Sequence, residues 1–165
     1  MSAMKYFVFR AGRMLLVLLL FTMVCSALGC EDSLLTETEP NDFPIDADLF
    51  DGNTVKGAIS VVDDTDYWEH SPTNTSGNQS YTLKNLTGDL QLMIYVLDNM
   101  GGMVDSSLIV PYGVNPMRSD NGGLMSEQLV FAIQEGWTVQ ILIEQSGVTG
   151  LVDETGDYWL QYEVQ

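Results

Sequence analysis

The spacing of short apolar runs after residue 53 restricts the fold most. Apolar side chains alternate with polar ones over strand-length segments, and Gly, Asn and Asp clusters interrupt them. The pattern predicts strands over Thr54–Ser60, Asp66–Ser71, Gln79–Leu86, Leu90–Asp98, Met103–Leu108, Glu127–Gln134, Thr138–Gln145 and Asp157–Val164. Alternation is clearest at the end, where Tyr158, Leu160, Tyr162 and Val164 share a face, and in Val139, Ile141 and Ile143. Leu90–Leu97 is apolar nearly throughout, which predicts a central strand covered on both sides. There is no long amphipathic helix and no internal repeat. The expectation is an all-β fold: one antiparallel β-sandwich, jelly-roll-like, of about eight strands. Two stretches exceed a tight turn, Ile109–Met125 and Gly147–Thr155, and long loops on a rigid scaffold often carry contacts. Tyr112, Met117 and Arg118 are the partner-like residues of the first.

The first 30 residues read as a processing segment rather than fold. Lys5, Arg10 and Arg13 precede an apolar run from Met14 to Val24, too short to span a bilayer comfortably. Ala27, Leu28 and Gly29 then lead to Cys30, an arrangement that resembles a bacterial lipobox, with Ala27 where Leu is usual. That resemblance implies cleavage before Cys30 and lipid on its thiol and amine; an ordinary signal peptide would leave a free thiol. Residues 30–36 would form a tether of at most ~25 Å, and 37–165 a single domain. Glu31 after Cys30 lacks the Asp of inner-membrane retention, so an outer-membrane or cell-surface position is expected over the inner membrane.

The other cysteine, Cys25, lies inside the signal. The mature chain therefore has no internal disulfide and no cysteine for a zinc site or nucleophile. Its cations are Lys56, Lys84 and Arg118 against 23 Asp and Glu, a net charge of −20. That balance argues against nucleic acid and against direct contact with anionic membrane surfaces. A monomer is expected.

The acids concentrate in two places: Glu37, Glu39 and Asp42, and then Asp63, Asp64 and Asp66. Like charges this dense either face water or share a hard cation, and Ca²⁺ takes six to eight oxygen ligands. The sequence Glu37, Glu39, Pro40, Asn41, Asp42, with Ala47, then Val55, Gly57 and Ile59, then Asp63, Asp66, Tyr67 and Trp68, resembles the bacterial pre-peptidase C-terminal domain. It is similar also to the collagen-binding domains of clostridial collagenases. The likeness continues more loosely through Gly156, Asp157, Tyr158, Trp159 and Leu160 and covers essentially the whole mature chain. It implies a β-sandwich. It also implies a Ca²⁺ site held by Glu37, Glu39, Asn41, Asp42, Asp63, Asp66 and the Ala58 carbonyl, with no matching role for Asp64, although Asp64 could substitute for Asp63. The alternative is that Asp63 and Asp66 cap a turn and Glu37–Asp42 is solvated. Unlike the usual arrangement, no peptidase precedes the domain.

Catalytic patterns are missing. No Gly-x-Ser-x-Gly elbow, His-Glu-x-x-His or P-loop occurs, and His70, the single histidine, reads as packing at a sheet end. Trp68 and Trp137 read as core. Trp159 falls on the face opposite Leu160, in a second packed layer or exposed as a binding aromatic. The expected function is a non-catalytic, lipid-anchored extracytoplasmic module. It would bind protein, peptide or polysaccharide, with calcium ordering its N-terminal segment and Tyr112, Arg118 and Trp159 as contact residues. The alternative is a structural or accessory lipoprotein of an envelope or secreted-peptidase complex.

Overall fold

The computed structural model describes residues 35–61, 64–146 and 155–165. Ten strands are present: β1 Leu35–Thr36, β2 Asp48–Leu49, β3 Thr54–Ile59, β4 Thr65–His70, β5 Asn78–Lys84, β6 Leu90–Leu97, β7 Met117–Ser119, β8 Glu127–Ala132, β9 Thr138–Gln145 and β10 Gly156–Val164. They form two five-stranded sheets, ordered β1-β3-β10-β5-β8 and β2-β4-β9-β6-β7. Pairing is antiparallel except at the edge strands β1 and β2, which run parallel to β3 and β4. The protein is an all-β sandwich.

One face of each sheet supplies the core. Val55 and Ile59, Tyr81 and Leu83, Leu129 and Phe131, and Tyr158 and Leu160 come from the first sheet. Trp68, Leu90, Leu92, Ile94, Val96, Val139, Ile141 and Ile143 come from the second. The period of two therefore decides which residues leave water, the main driving force of folding among described residues that contain no cysteine. His70 lies at the end of β4 against Phe50, Tyr81 and Tyr162, its ring centre 4.4 Å from that of Tyr162. Its Nδ1 pairs with the Tyr81 hydroxyl at 2.8 Å. Burial lowers its pKa to about 4, so the ring is neutral at physiological pH. This is the packing role expected of it.

Several expectations need correction. Met103–Leu108 is not a strand: Met103 makes one isolated bridge to Leu97, and a 3₁₀ turn covers Ser106–Leu108. Asp105 ends the extended run by accepting from the Ser107 N–H at 2.8 Å. Asn115 fills the edge instead. Its amide donates to the Val96 and Val104 carbonyls, and its oxygen accepts from the Val96 N–H. The long segment after Ile109 contains β7, whose Met117 is wholly buried, so Met117 is core rather than a partner residue. β6 buries Leu90, Leu92, Ile94 and Val96 inward; on its outer face Gln91 is buried, while Met93, Tyr95 and Leu97 are half-buried. Leu35 and Thr36 pair with β3 as β1. Strands of two or three residues such as β1, β2 and β7 have too few positions to show a period.

Candidate functional site

The segment after β1 crosses one end of the sandwich and docks there. The Glu37 N–H donates to the Lys56 carbonyl at 3.1 Å, continuing the β1–β3 pairing. Its carboxylate then turns inward, where Oε1 accepts from the Ala58 N–H at 2.6 Å. Gly57 makes this approach possible, because a Cβ there would fall on the Glu37 carboxylate and the Tyr158 hydroxyl. Further along, the Asn41 carbonyl accepts from the Tyr67 N–H at 3.2 Å. The Asp42 carbonyl accepts from the Thr65 hydroxyl, also at 3.2 Å.

Beneath this segment lies a buried polar chain. Trp68 Nε1 donates to the Tyr158 oxygen at 2.9 Å, and the Tyr158 hydroxyl donates to Asp66 Oδ2 at 2.5 Å. Glu37 Oε2 lies 3.1 Å from the same hydroxyl. A phenol has one proton, so two carboxylates around it require a second proton or a cation. Asp66 and Asn41 have no exposed surface. Burial, together with the neighbouring Glu37 carboxylate, raises the Asp66 pKa to about 9. Burial and the adjacent Asp64 also raise that of Glu39, which stays on the surface. The Asn41 amide can be turned two ways. With nitrogen inward it donates to Glu39 Oε2 at 3.3 Å and Asp66 Oδ1 at 3.2 Å. With oxygen inward it adds one more acceptor to theirs.

Two carboxylate triads result, Glu37–Glu39–Asp66 and Glu39–Asp42–Asp64, each with oxygens within 4.8 Å of one another. Glu39 belongs to both. All donors are oxygen, the set suited to a hard cation such as Ca²⁺ rather than to zinc. Of the seven residues the resemblance singles out, Glu37, Glu39, Asn41, Asp42 and Asp66 converge here. Asp63 lies outside the described residues. At Ala58 it is the N–H that meets the site, through Glu37. Asp64, expected only as a substitute for Asp63, is buried and inside the second triad. Its carboxylate also accepts from the Ser60 N–H at 2.5 Å and the Ser60 hydroxyl at 2.9 Å, closing the turn before β4. Glu37–Asp42 is thus not simply solvated.

The three suggested contact residues are scattered. Tyr112 is exposed, and its hydroxyl accepts from the Val130 N–H of β8 at 3.2 Å. Arg118, on β7 at the edge of the second sheet, pairs with Asp120 at 2.8 Å. Trp159 is half-buried on the outer face of the first sheet, with the Lys56 ammonium 4.5 Å from its ring centre. Cys30 and most of the Gly147–Thr155 loop lie outside the described residues. Tyr158, Trp68 and Gly57 escaped the sequence reading as site residues. Alternation placed Tyr158 and Trp68 inward, but nothing in it says that their polar tips meet one carboxylate.

No protein-family model matches the sequence, and no curated protein matches it. Solved structures similar to it include the pre-peptidase C-terminal domain of a collagenase from Bacillus anthracis, with 13% identity and a TM-score of 0.45, covering 71% of this chain and 94% of that one. Another is PliG of Aeromonas hydrophila, a periplasmic inhibitor of g-type lysozyme, at 13% identity and a TM-score of 0.36, covering 79% and 96%. A third is the carbohydrate-binding module CBM36 in complex with calcium and xylotriose, at 10% identity and a TM-score of 0.31, covering 64% and 78%. At these scores none of the three says what this chain binds.

Proposed function

We propose that this protein is a non-catalytic binding module, held at the bacterial cell envelope by lipid on Cys30, whose N-terminal segment is ordered by Ca²⁺. The observation that carries the calcium reading is the convergence of Glu37, Glu39, Asp42, Asp64 and Asp66 around the buried Asn41 amide. The one ion pair among the described residues, Arg118–Asp120, lies elsewhere and leaves these carboxylates uncompensated by any described cation. A divalent ion would relieve their repulsion and bind the incoming segment to β4 and β10. Coordination by Glu37, Glu39, Asp42, Asp64 and Asp66, with the Asn41 oxygen turned inward, is compatible with the irregular geometry Ca²⁺ accepts. Asp63 and the Ala58 carbonyl are further candidate ligands. The module reading draws on the sandwich fold and on His70, the one histidine, being held in an aromatic cluster.

The test is thermal unfolding of the full chain in millimolar Ca²⁺ and in EDTA. A ligand that binds only the folded state stabilises by about 2.7 kcal/mol at 100 times its Kd, which moves the midpoint several degrees. Glu39→Gln, on the surface and common to both triads, should remove most of that shift without unfolding the protein. Asp64→Ala should reduce it, and Asp63→Ala distinguishes the ligand set implied by the resemblance from the one the geometry favours. No shift in millimolar Ca²⁺ would sink the metal.

A further inference from the structure

In a chain this acidic, the positions of the few cations carry information. Lys56 and Lys84 lie on either side of Trp159: Trp159 is in register with Lys56 across β3 and with Lys84 across β5. Thr36 of β1 is in register with Lys56 and completes a row across four strands on the outer face of the first sheet. At the usual strand spacing the row is about 14 Å long, with the two lysines about 10 Å apart. Neither lysine makes an ion pair with a described carboxylate. Lys56 lies over the Trp159 ring, and Lys84 donates to Gln161. The ring borders a shallow cleft of ≈ 370 Å³ whose walls include Thr36, Lys56 and Gly57 and the acidic residues Glu37 and Asp157, so the attraction of an anion comes from the lysine row and not from the cleft as a whole.

The neighbouring chemistry separates directions on this face. Along β10, Asp157 and Glu163 flank the row on the same side of the strand, and Glu163 accepts from Gln161 at 2.6 Å. An anionic ligand is therefore repelled along the strand and attracted across it. Beside the row, along β5, Thr82 is in register with Gln161 and Ser80 with Glu163, and Gln128 donates to both of their hydroxyls at 3.1 Å. An indole offers a flat apolar face to a pyranose ring, ammonium groups meet carboxylates, and amides and hydroxyls meet sugar hydroxyls.

We infer that this row binds an acidic polysaccharide, a uronate-bearing glycan lying across the strands with a sugar ring on Trp159 and carboxylates at Lys56 and Lys84. The inference rests on the reading of the chain as a binding module.

The experiment is calorimetric titration of the full chain with short hyaluronan oligosaccharides, with neutral dextran and poly-glutamate as comparators. Hyaluronan should bind, dextran should not, and added NaCl should weaken the binding. Trp159→Ala and the Lys56→Gln/Lys84→Gln double variant should each weaken it about tenfold or more. Unfolding midpoints of the variants, measured alongside, should stay near that of the parent because the row is outside the core. Hyaluronan failing to bind at millimolar concentration overturns the inference, as does binding that survives both changes. Equal binding of poly-glutamate, indifferent to Trp159→Ala, overturns it too, since that is charge attraction alone. A Ca²⁺-dependent midpoint together with no hyaluronan binding would remove this ligand and leave the calcium reading standing.

Discussion

At the scale of single residues, Asp66 and His70 pull the stability of the metal-free protein in opposite directions with pH. The folded state raises Asp66 to about 9 from an ordinary value near 4, chiefly through burial. Between those values the folded chain holds a proton that the unfolded chain has lost, so this group makes stability fall as pH rises. His70 is lowered to about 4 by burial and is neutral in the folded state while the unfolded chain takes up a proton below pH ~6.5. It makes stability rise with pH between ~4 and ~6.5. The two oppose each other there, and above ~6.5 the Asp66 effect remains. In EDTA, urea-unfolding free energy should therefore decline between pH 6.5 and 9, by at most about 1.4 kcal/mol per pH unit from one group. Asp66→Asn should flatten that decline, and an unchanged slope in the variant would exclude Asp66 as its source. Because Ca²⁺ needs the carboxylate ionised, the calcium-induced shift should grow over the same window.

Among the elements, the meeting of β3 with the segment after β1 decides whether the acidic site exists. Gly57 has no unusual backbone conformation; it is needed because Glu37 and Tyr158 occupy the space of a Cβ. Gly57→Ala should cost about 1–3 kcal/mol through crowding. It should also push Glu37 off the Ala58 N–H, so the calcium-induced midpoint shift should shrink while the sheet persists. Far-ultraviolet circular dichroism with the same thermal titration checks both. A variant with full calcium response would show that Glu37 need not dock against β3. The edge strands belong to this scale as well. β1 and β2 are two residues each, so these two edges are short, which limits pairing with other chains there.

For the whole molecule, charge and attachment go together. The charge of −20 over residues 30–165 opposes direct contact with an anionic bilayer, so the envelope position proposed above rests on the proposed lipid on Cys30. In a bacterial host the wild-type chain should fractionate with membranes and carry acyl groups visible by mass spectrometry, and Cys30→Ser should be released. A wild-type chain without acyl groups, found in the soluble fraction, would defeat the anchor.

The sequence by itself determined the class of fold, and period-two alternation is why. It placed seven of the ten strands within a residue or two and put Tyr158 and Leu160 inside. The carboxylate-rich segments were legible too, because charge density can be read without coordinates. What only the tertiary structure decided was which atoms meet. Asp64 stands beside Glu39 and Asp42, its carboxylate held by Ser60. Lys56, Trp159 and Lys84 lie in one row because strands far apart in the chain pair as β3-β10-β5. Register between distant strands is set by how the whole core packs, and no local pattern encodes it.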